Sequence, residues 1–202
     1  MKRWIFFVIV VSLFTKATAQ KPGNSYISVA ALTAQNAKPF GKFAGLFEDV
    51  IHPGFEAAYG RNIATAQHHN WFVELRLGYF YHRYVQHAIP FYVNFGYRYK
   101  LTDRFSAETS LGAGYMHSIP ATAELKLDSN GDYVKGKCAG RMQAIATFSL
   151  GFGYTVNPHA AKAIKIFTSY QQMLQMPFVR SYVPVLPYNA FLIGICYNLK
   201  SK

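Results

Sequence analysis

Hydrophobic and polar side chains alternate along much of this chain with a period of two residues. Between positions 105 and 115 the odd positions carry Phe, Ala, Thr, Leu, Ala and Tyr, whereas the even positions carry Ser, Glu, Ser, Gly and Gly. Because successive side chains of a β-strand point to opposite faces, this pattern predicts a strand with one apolar face and one polar or small face.

The same alternation recurs in further segments, and together they predict eight strands. We place these strands at residues 25–33, 53–63, 71–85, 90–101, 105–118, 141–156, 163–178 and 188–199. Links after the second, fourth and sixth strands are short, and those after the first, fifth and seventh are longer; the link after the third strand, 86–89, is short and breaks this rule. Short periplasmic turns, longer outer loops and an even strand number are typical of bacterial outer-membrane barrels. We therefore expect an all-β fold, an eight-stranded antiparallel up-and-down transmembrane β-barrel with both termini in the periplasm.

The beginning of the chain has the three-part pattern of a secretory signal peptide. Lys2 and Arg3 form a basic start, residues 4–14 an apolar run, and Ala17-Thr18-Ala19 a small-residue cleavage motif. We expect cleavage after Ala19, which leaves residues 20–202 as a single barrel domain in the outer membrane. An uncleaved anchor is the alternative, but the apolar run is shorter than the roughly 20 residues that a spanning helix needs.

Charged residues of the predicted strands fall on the face opposite the large apolar side chains. A lysine or arginine facing lipid near the midplane costs roughly 2–4 kcal/mol, so we expect these charges to point inward. An eight-stranded barrel has room only for side chains, and buried charges must pair. We interpret the set as a structural salt-bridge network, with a proton or ion relay as the alternative. Its predicted members are Glu56, Glu74, Arg76, Arg98, Lys100, Glu108, Arg141 and Lys165.

Composition and charge agree with an exported barrel. Aromatic residues make up 17% of the chain, which suits lipid-facing bands and interfacial girdles. The formal net charge is +12, and loss of the signal peptide would lower it by three. A basic surface suits nucleic acid, but export argues against that partner. We expect contact with outer-membrane lipid and lipopolysaccharide, and consider a membrane-protein partner docked on lipid-facing aromatic residues.

Three short motifs resemble chemical sites but lack a necessary part. His117 and Ser118 are neighbours in a strand and point to opposite faces, which prevents a base–nucleophile contact. Residues 128–132 resemble the start of a calcium loop, but its twelfth position is Ala139 and not Glu. The Asn-Gly pair within it instead predicts a hairpin turn, and we expect the fifth and sixth strands to extend outward as this hairpin. The adjacent His68 and His69 have no third ligand nearby. We expect no catalytic residue, no metal and no cofactor.

Three further stretches of the chain are informative together: Thr18-Ala19-Gln20, residues 97–102 (Tyr-Arg-Tyr-Lys-Leu-Thr) before a tight turn, and residues 175–178 followed by Pro184 and Pro187. In these stretches the chain resembles small outer-membrane β-barrel proteins common in Bacteroidota. The architecture is also similar to OmpA/OmpX-type barrels. Lipid A deacylase barrels share the strand count, but their His-x-Ser-Asn motif is absent, since His117 is followed by Ser, Ile and Pro.

The pattern and the resemblance together predict a non-enzymatic integral outer-membrane barrel with a side-chain-filled lumen. Its outer loops, residues 34–52 and 119–140, are expected to contact a ligand or a partner protein outside the cell. One alternative is an outer-membrane enzyme that cleaves lipids or peptides at the outer rim. Another is a small subunit of a larger outer-membrane complex.

Overall fold

The computed structural model describes residues 25–36, 51–122, 125–128, 131–136, 139–158, 163–178 and 184–199. All regular structure within these ranges is β-strand, and no helix capable of crossing a membrane is found there. The strands are β1 Ser25–Asn36, β2 Pro53–Thr65, β3 His69–His82, β4 Gln86–Lys100, β5 Phe105–Pro120, β6 Leu125–Leu127, β7 Tyr133–Lys135, β8 Arg141–Thr155, β9 Ile164–Met176 and β10 Leu186–Asn198.

Eight of these strands close into an antiparallel barrel in the order β1-β10-β9-β8-β5-β4-β3-β2. Closure is made by the first and last strands, whose ladder runs from Tyr26 opposite Asn198 to Asn36 opposite Tyr188. A closed barrel leaves no unpaired sheet edge. The predicted closed, antiparallel, eight-stranded architecture is therefore confirmed.

The two ends of the barrel differ in their connections. We call the end where β1 begins and β10 ends the terminal end, and the opposite end the loop end. Links 66–68, 101–104 and 156–163 lie at the terminal end, whereas links 37–52, 83–85, 121–140 and 177–185 lie at the loop end. The long links predicted after the first and fifth strands both lie at the loop end. The link after β3 is short, as predicted.

The link after β3 lies earlier than the sequence indicates. The sequence predicts that the fourth strand starts at Pro90, and proline is indeed most often found at the beginning or the edge of a strand. The strand starts instead at Gln86, and a three-residue turn follows His82, whose carbonyl accepts from Val85 N at 3.0 Å. Pro90 is tolerated inside β4 because the ladder with β3 is interrupted there, between the Leu77–Phe91 and Phe80–Ala88 pairs.

The link between β5 and β8 contains its own two-stranded sheet, formed by β6 and β7. Gly131 has a φ of +86°, a left-handed conformation that glycine adopts without strain, and its N–H donates to the Asp128 carbonyl at 3.0 Å. The predicted hairpin turn is thus present. The expected extension of the fifth and sixth predicted strands into it is wrong, because β5 ends at Pro120, β8 begins at Arg141, and the hairpin forms a sheet separate from the barrel.

The two faces of the barrel wall carry different residues. On β3 and β4, burial alternates strictly along most of each strand, as the sequence predicts. Outward positions of β3 carry Trp71, Val73, Leu75, Leu77, Tyr79 and Tyr81, whereas Phe72, Glu74, Arg76, Gly78 and His82 point inward. The large apolar side chains therefore cover the outside of the barrel, and polar and charged groups are enclosed.

Candidate functional site

Three layers of side chains fill the lumen. A charged layer extends from the terminal end to the middle of the barrel. Above it lies an apolar layer that includes Phe80, Met116, Met173 and Leu192, each fully buried. A layer of carboxamides closes the loop end. The charged layer contains the residues on which the sequence prediction centred.

Arg76 joins two carboxylates near the middle of the barrel. Its Nη1 donates to Glu56 Oε1 at 2.6 Å, and its Nη2 donates to Glu74 Oε2 at 2.6 Å. Glu74 and Arg76 are two residues apart on β3 and share its inner face, while Glu56 lies on β2 opposite Gly78. All three charged residues are buried, with exposed fractions of 8% or less.

Glu108 forms a second cluster closer to the terminal end. It lies directly opposite Arg98 in the β4–β5 ladder and accepts from Arg98 Nε at 2.8 Å. The Lys165 ammonium on β9 donates to the same carboxylate from across β8. The Lys165 side chain passes over Gly153 on β8. A Cβ atom at Gly153 would lie 2.8 Å from Lys165 Cδ, so a larger residue there would obstruct this side chain.

Tyr26 connects the two clusters. Its hydroxyl donates to Glu74 Oε1 at 2.8 Å, and the Arg98 guanidinium lies 5.4 Å from the centre of its ring. The same guanidinium lies 4.9 Å from the centre of the Phe72 ring. We call the six charged residues Glu56, Glu74, Arg76, Arg98, Glu108 and Lys165 the charge network.

Two residues of the predicted set lie outside this network. Lys100 is the last residue of β4, is half-buried, and forms none of the ion pairs seen within the described ranges. Arg141 was expected to point into the lumen, but it is exposed and its Nη1 lies 3.4 Å from the Phe178 carbonyl. Arg141 occupies a position whose side chain would point inward in the alternation of β8. It is the first residue of that strand, however, and therefore lies at the rim of the barrel, where water reaches it.

The carboxamide layer at the loop end was missed by the sequence prediction as a group. Gln86 Nε2 donates to Gln175 Oε1 at 2.7 Å and to Tyr188 Oη at 2.9 Å, and Gln175 Nε2 donates to Gln143. The alternation along the sixth predicted strand directs Gln143 inward, whereas the sequence prediction places Gln86 in the link 86–89. Gln86 occupies an inward-facing position in the alternation of β4. Its place in the lumen could have been predicted if the start of β4 had been known.

Tyr92 is a further lumen residue that sequence reasoning missed. Its hydroxyl donates to Glu56 and accepts from Gln171 Nε2 at 2.8 Å. Tyr92 lies on the inner face of β4 with Asn94 and Arg98, so the alternation along the strand is the pattern that would predict its position. It was missed because most aromatic residues of this strand face outward.

The histidine and serine weighed for catalysis face different environments. His117 faces outward, where its ring nitrogens lie 3.0 Å from Tyr115 Oη and 2.9 Å from the Ala139 carbonyl. Ser118 is buried and donates to Gln143 inside the lumen. The opposite orientations predicted for this pair are confirmed. Over the described residues, no group of three or more His, Cys, Asp or Glu side chains is placed to hold a metal ion.

The barrel geometry has counterparts among solved structures, although the sequence matches no protein-family model and no curated protein. Neisserial surface protein A (NspA) superposes with a TM-score of 0.52 at 9% identity, over 90% of this chain and 100% of that chain. The two chains share a fold. Ail of Yersinia pestis, solved with the heparin analogue sucrose octasulfate, gives 0.46 at 15% identity, over 89% of this chain and 100% of its own.

Proposed function

We propose that this protein is an integral outer-membrane β-barrel without enzymatic activity, whose loop-end links face the cell exterior and contact a ligand or partner there. The observation that carries the proposal is the distribution of polarity across the barrel wall. Apolar side chains cover the outside, and six charged groups are neutralised inside. This distribution is the reverse of that expected for a barrel in water.

The exterior is apolar all the way round. Val29 on β1, Leu111 on β5 and Phe152 on β8 are 62%, 65% and 65% exposed. Every barrel strand contributes at least one such side chain, and a continuous apolar surface of this extent is unusual for a protein in water. The contributors include Ile27, Phe55, Tyr59, Leu75, Leu77, Val93, Phe95, Leu150, Ile164, Ile166, Ile193 and Ile195.

Charge on the outside of the barrel strands lies near the strand ends, apart from Arg61, which is four residues before the end of β2. Arg61 on β2 faces outward, and it lies opposite Ser25, the first residue of β1, at the terminal end. At that height a membrane barrel meets the headgroups, where the cost of a charge falls to about 0–1 kcal/mol. The barrel strands have 12 to 16 residues, which exceeds the roughly 9–11 needed to cross a bilayer.

Tyrosine–histidine pairs mark both ends of the apolar band. At the terminal end His69 Nδ1 contacts the Tyr97 hydroxyl. At the loop end Tyr79 Oη lies 2.8 Å from His87 Nδ1. Rings with an apolar body and a polar edge are enriched at membrane interfaces, so these pairs support two girdles at the headgroup level.

The orientation follows from the lengths of the links. Outer-membrane barrels keep short turns in the periplasm, so we assign the terminal end, and both chain termini, to the periplasm. The proposed signal peptide and its cleavage after Ala19 lie outside the described residues, as does most of the predicted outer loop 34–52. Lipid and lipopolysaccharide are the proposed partners of the exterior, and nucleic acid is not among them. The resemblance to Bacteroidota barrels stays a prediction.

The test is membrane fractionation of the full-length chain followed by electrophoresis with and without heating. We expect the protein in the outer-membrane fraction, with a folded band that shifts on boiling. The isolated membranes should be washed with carbonate, because a peripheral protein is removed by this treatment and serves as the control. Recovery in the soluble periplasmic fraction without a heat shift would contradict the proposal.

A further inference from the structure

A depression with polar residues in its wall lies on the outside of the described part of the barrel. It has a volume of about 220 Å³, far more than the ~30 Å³ that one water molecule occupies in the liquid. The apolar part of the wall includes Leu111, Ala146, Phe148 and Leu174. Ala146 lies opposite Leu174 between β8 and β9, and its short side chain leaves the space open.

Two carboxamides, Gln172 and Asn189, stand in the same wall. They face each other in the β9–β10 ladder, and Gln172 faces Phe148 on the other side. Both have outward parity, since the neighbours Tyr188 and Ala190 of Asn189 are fully buried in the lumen. A carboxamide on the membrane face of a barrel is costly unless its polar atoms are satisfied.

Asn189 differs from the outward polar groups of β9, and it shares its state with Thr33 Oγ1 on β1, which is also buried without a hydrogen-bond partner in the described part of the chain. Thr168 Oγ1 donates to the Leu192 carbonyl at 3.2 Å, and Gln172 Nε2 donates to Tyr170 Oη at 3.2 Å. Asn189 is only 4% exposed, and its Oδ1 has no hydrogen-bond partner in the described part of the chain. A buried acceptor in this state can be satisfied by a water molecule or by the donor of a bound ligand.

The depth of the depression limits what can supply that donor. Asn189 is three residues from the loop-end start of β10, and Gln172 is four residues from the loop-end finish of β9. A tilted strand advances roughly 2.5 Å per residue along the barrel axis, so both carboxamides lie roughly 8–10 Å below the loop end. In the proposed orientation this is the shallow part of the outer leaflet, where acyl chains join their headgroup.

We propose that this depression binds a hydroxylated acyl chain of an outer-leaflet glycolipid, whose hydroxyl donates to Asn189 Oδ1. The methylene groups of such a chain suit the apolar wall, and the hydroxyl supplies the missing donor. An ordinary phospholipid ester offers only acceptors at this depth. The inference rests on the proposed membrane location and goes beyond it by naming a site and a ligand class.

The experiment compares two versions of one synthetic lipid, a glucosamine phosphate carrying either 3-hydroxytetradecanoyl or tetradecanoyl chains. The purified full-length protein in nonionic detergent is titrated with each lipid, and bound lipid is counted by native mass spectrometry. We expect the hydroxylated lipid to bind about three- to tenfold more tightly, the range of one neutral hydrogen bond. The heat shift of every preparation reports whether the barrel is folded.

Two variants locate the site. Asn189→Leu should abolish the preference between the lipids, whereas Thr109→Val, which removes an outward hydroxyl from a residue of β5 that does not line the depression, should keep it. Ala146→Phe fills the depression and should weaken binding of both lipids, and Ala107→Phe on the outside of β5 is its matched control. If one variant fails to fold, the other still tests the site.

Equal binding of the two lipids by the wild-type protein would overturn the inference. So would a preference that survives Asn189→Leu, or binding that Ala146→Phe leaves unchanged. A dimer that dissociates on Ala146→Phe would overturn it in favour of a second copy of this chain as the occupant. In each case a retained heat shift would leave the proposed membrane barrel intact, and loss of that shift in the wild-type protein would contradict the barrel itself.

Discussion

Each buried carboxylate in the lumen is matched by a cation from its own or another strand. Arg76 serves Glu56 and Glu74 together, and Glu108 is shared between Arg98 and Lys165. Forming such a group gains little net stability, because the charges lose their hydration. Removing one member is different, since the remaining charge is then buried without compensation. Replacing one charged residue of the network should therefore lower the free energy of unfolding by more than the whole network contributes to it.

We expect Arg76→Met to destabilise the barrel by about 3–5 kcal/mol, since both Glu56 and Glu74 lose their counter-charge. The measurement is reversible urea unfolding in lipid vesicles, followed by tryptophan fluorescence. Lys100→Met is the control, because this cation lies at the end of β4 outside the network, and we expect a change within about 0.5 kcal/mol.

The triple variant Glu56→Gln, Glu74→Gln, Arg76→Met removes the charges together. It should recover much of the stability that Arg76→Met loses, because no buried charge is left unpaired. Similar losses for Arg76→Met and Lys100→Met would contradict the assignment of Arg76 to a buried network.

At the scale of the elements, the sequence predicts the barrel strands because each strand has one apolar face and one face of polar or small residues. The prediction fails where another feature interrupts this pattern. Pro90 suggested a strand start, yet the interrupted ladder around it lets β4 begin at Gln86. The alternation directs the six network residues inward, where they lie buried or half-buried. It directs Arg141 inward as well, but that residue is exposed, since alternation does not tell where the rim of the barrel lies.

The contacts inside the lumen are harder to predict than the strands. Lys165 and Glu108 belong to β9 and β5, which are not neighbours, and β8 stands between them. Their contact depends on the tilt of the strands and on the small residue Gly153 along the way. Neither property is visible in the alternation of a single strand, so the sequence indicates the members of the network and not their pairing.

The hairpin formed by β6 and β7 is an element that the barrel does not need for closure. Its ladder is separate from the barrel sheet. We expect that replacing residues 123–137 with a short Gly-Ser linker keeps the heat-shifted band and the far-UV circular dichroism of the barrel. A matched control replaces residues 106–120, most of β5, and should abolish the shift. Loss of the folded band in the hairpin variant would show that β6 and β7 contribute to barrel folding.

At the scale of the whole molecule, we expect the side chains enclosed in the lumen to prevent this barrel from acting as a pore. The charge network, the apolar layer and the carboxamide layer succeed one another along the axis, and eight strands leave an interior only wide enough for side chains. We expect no steady single-channel steps from the purified protein in planar lipid bilayers. A general porin inserted under the same conditions provides the positive control, and reproducible steps from this protein would contradict a closed lumen.

The charge network also determines how the barrel interior responds to an electric field. Three carboxylates and three cations occupy it, so its formal charges cancel. Moving one elementary charge across 100 mV involves about 2.3 kcal/mol, the source of the gating force in voltage sensors. A neutral set of paired side chains carries no net gating charge. A membrane potential can therefore reorient dipoles within the network, but it exerts no net force that would push the network along the barrel axis.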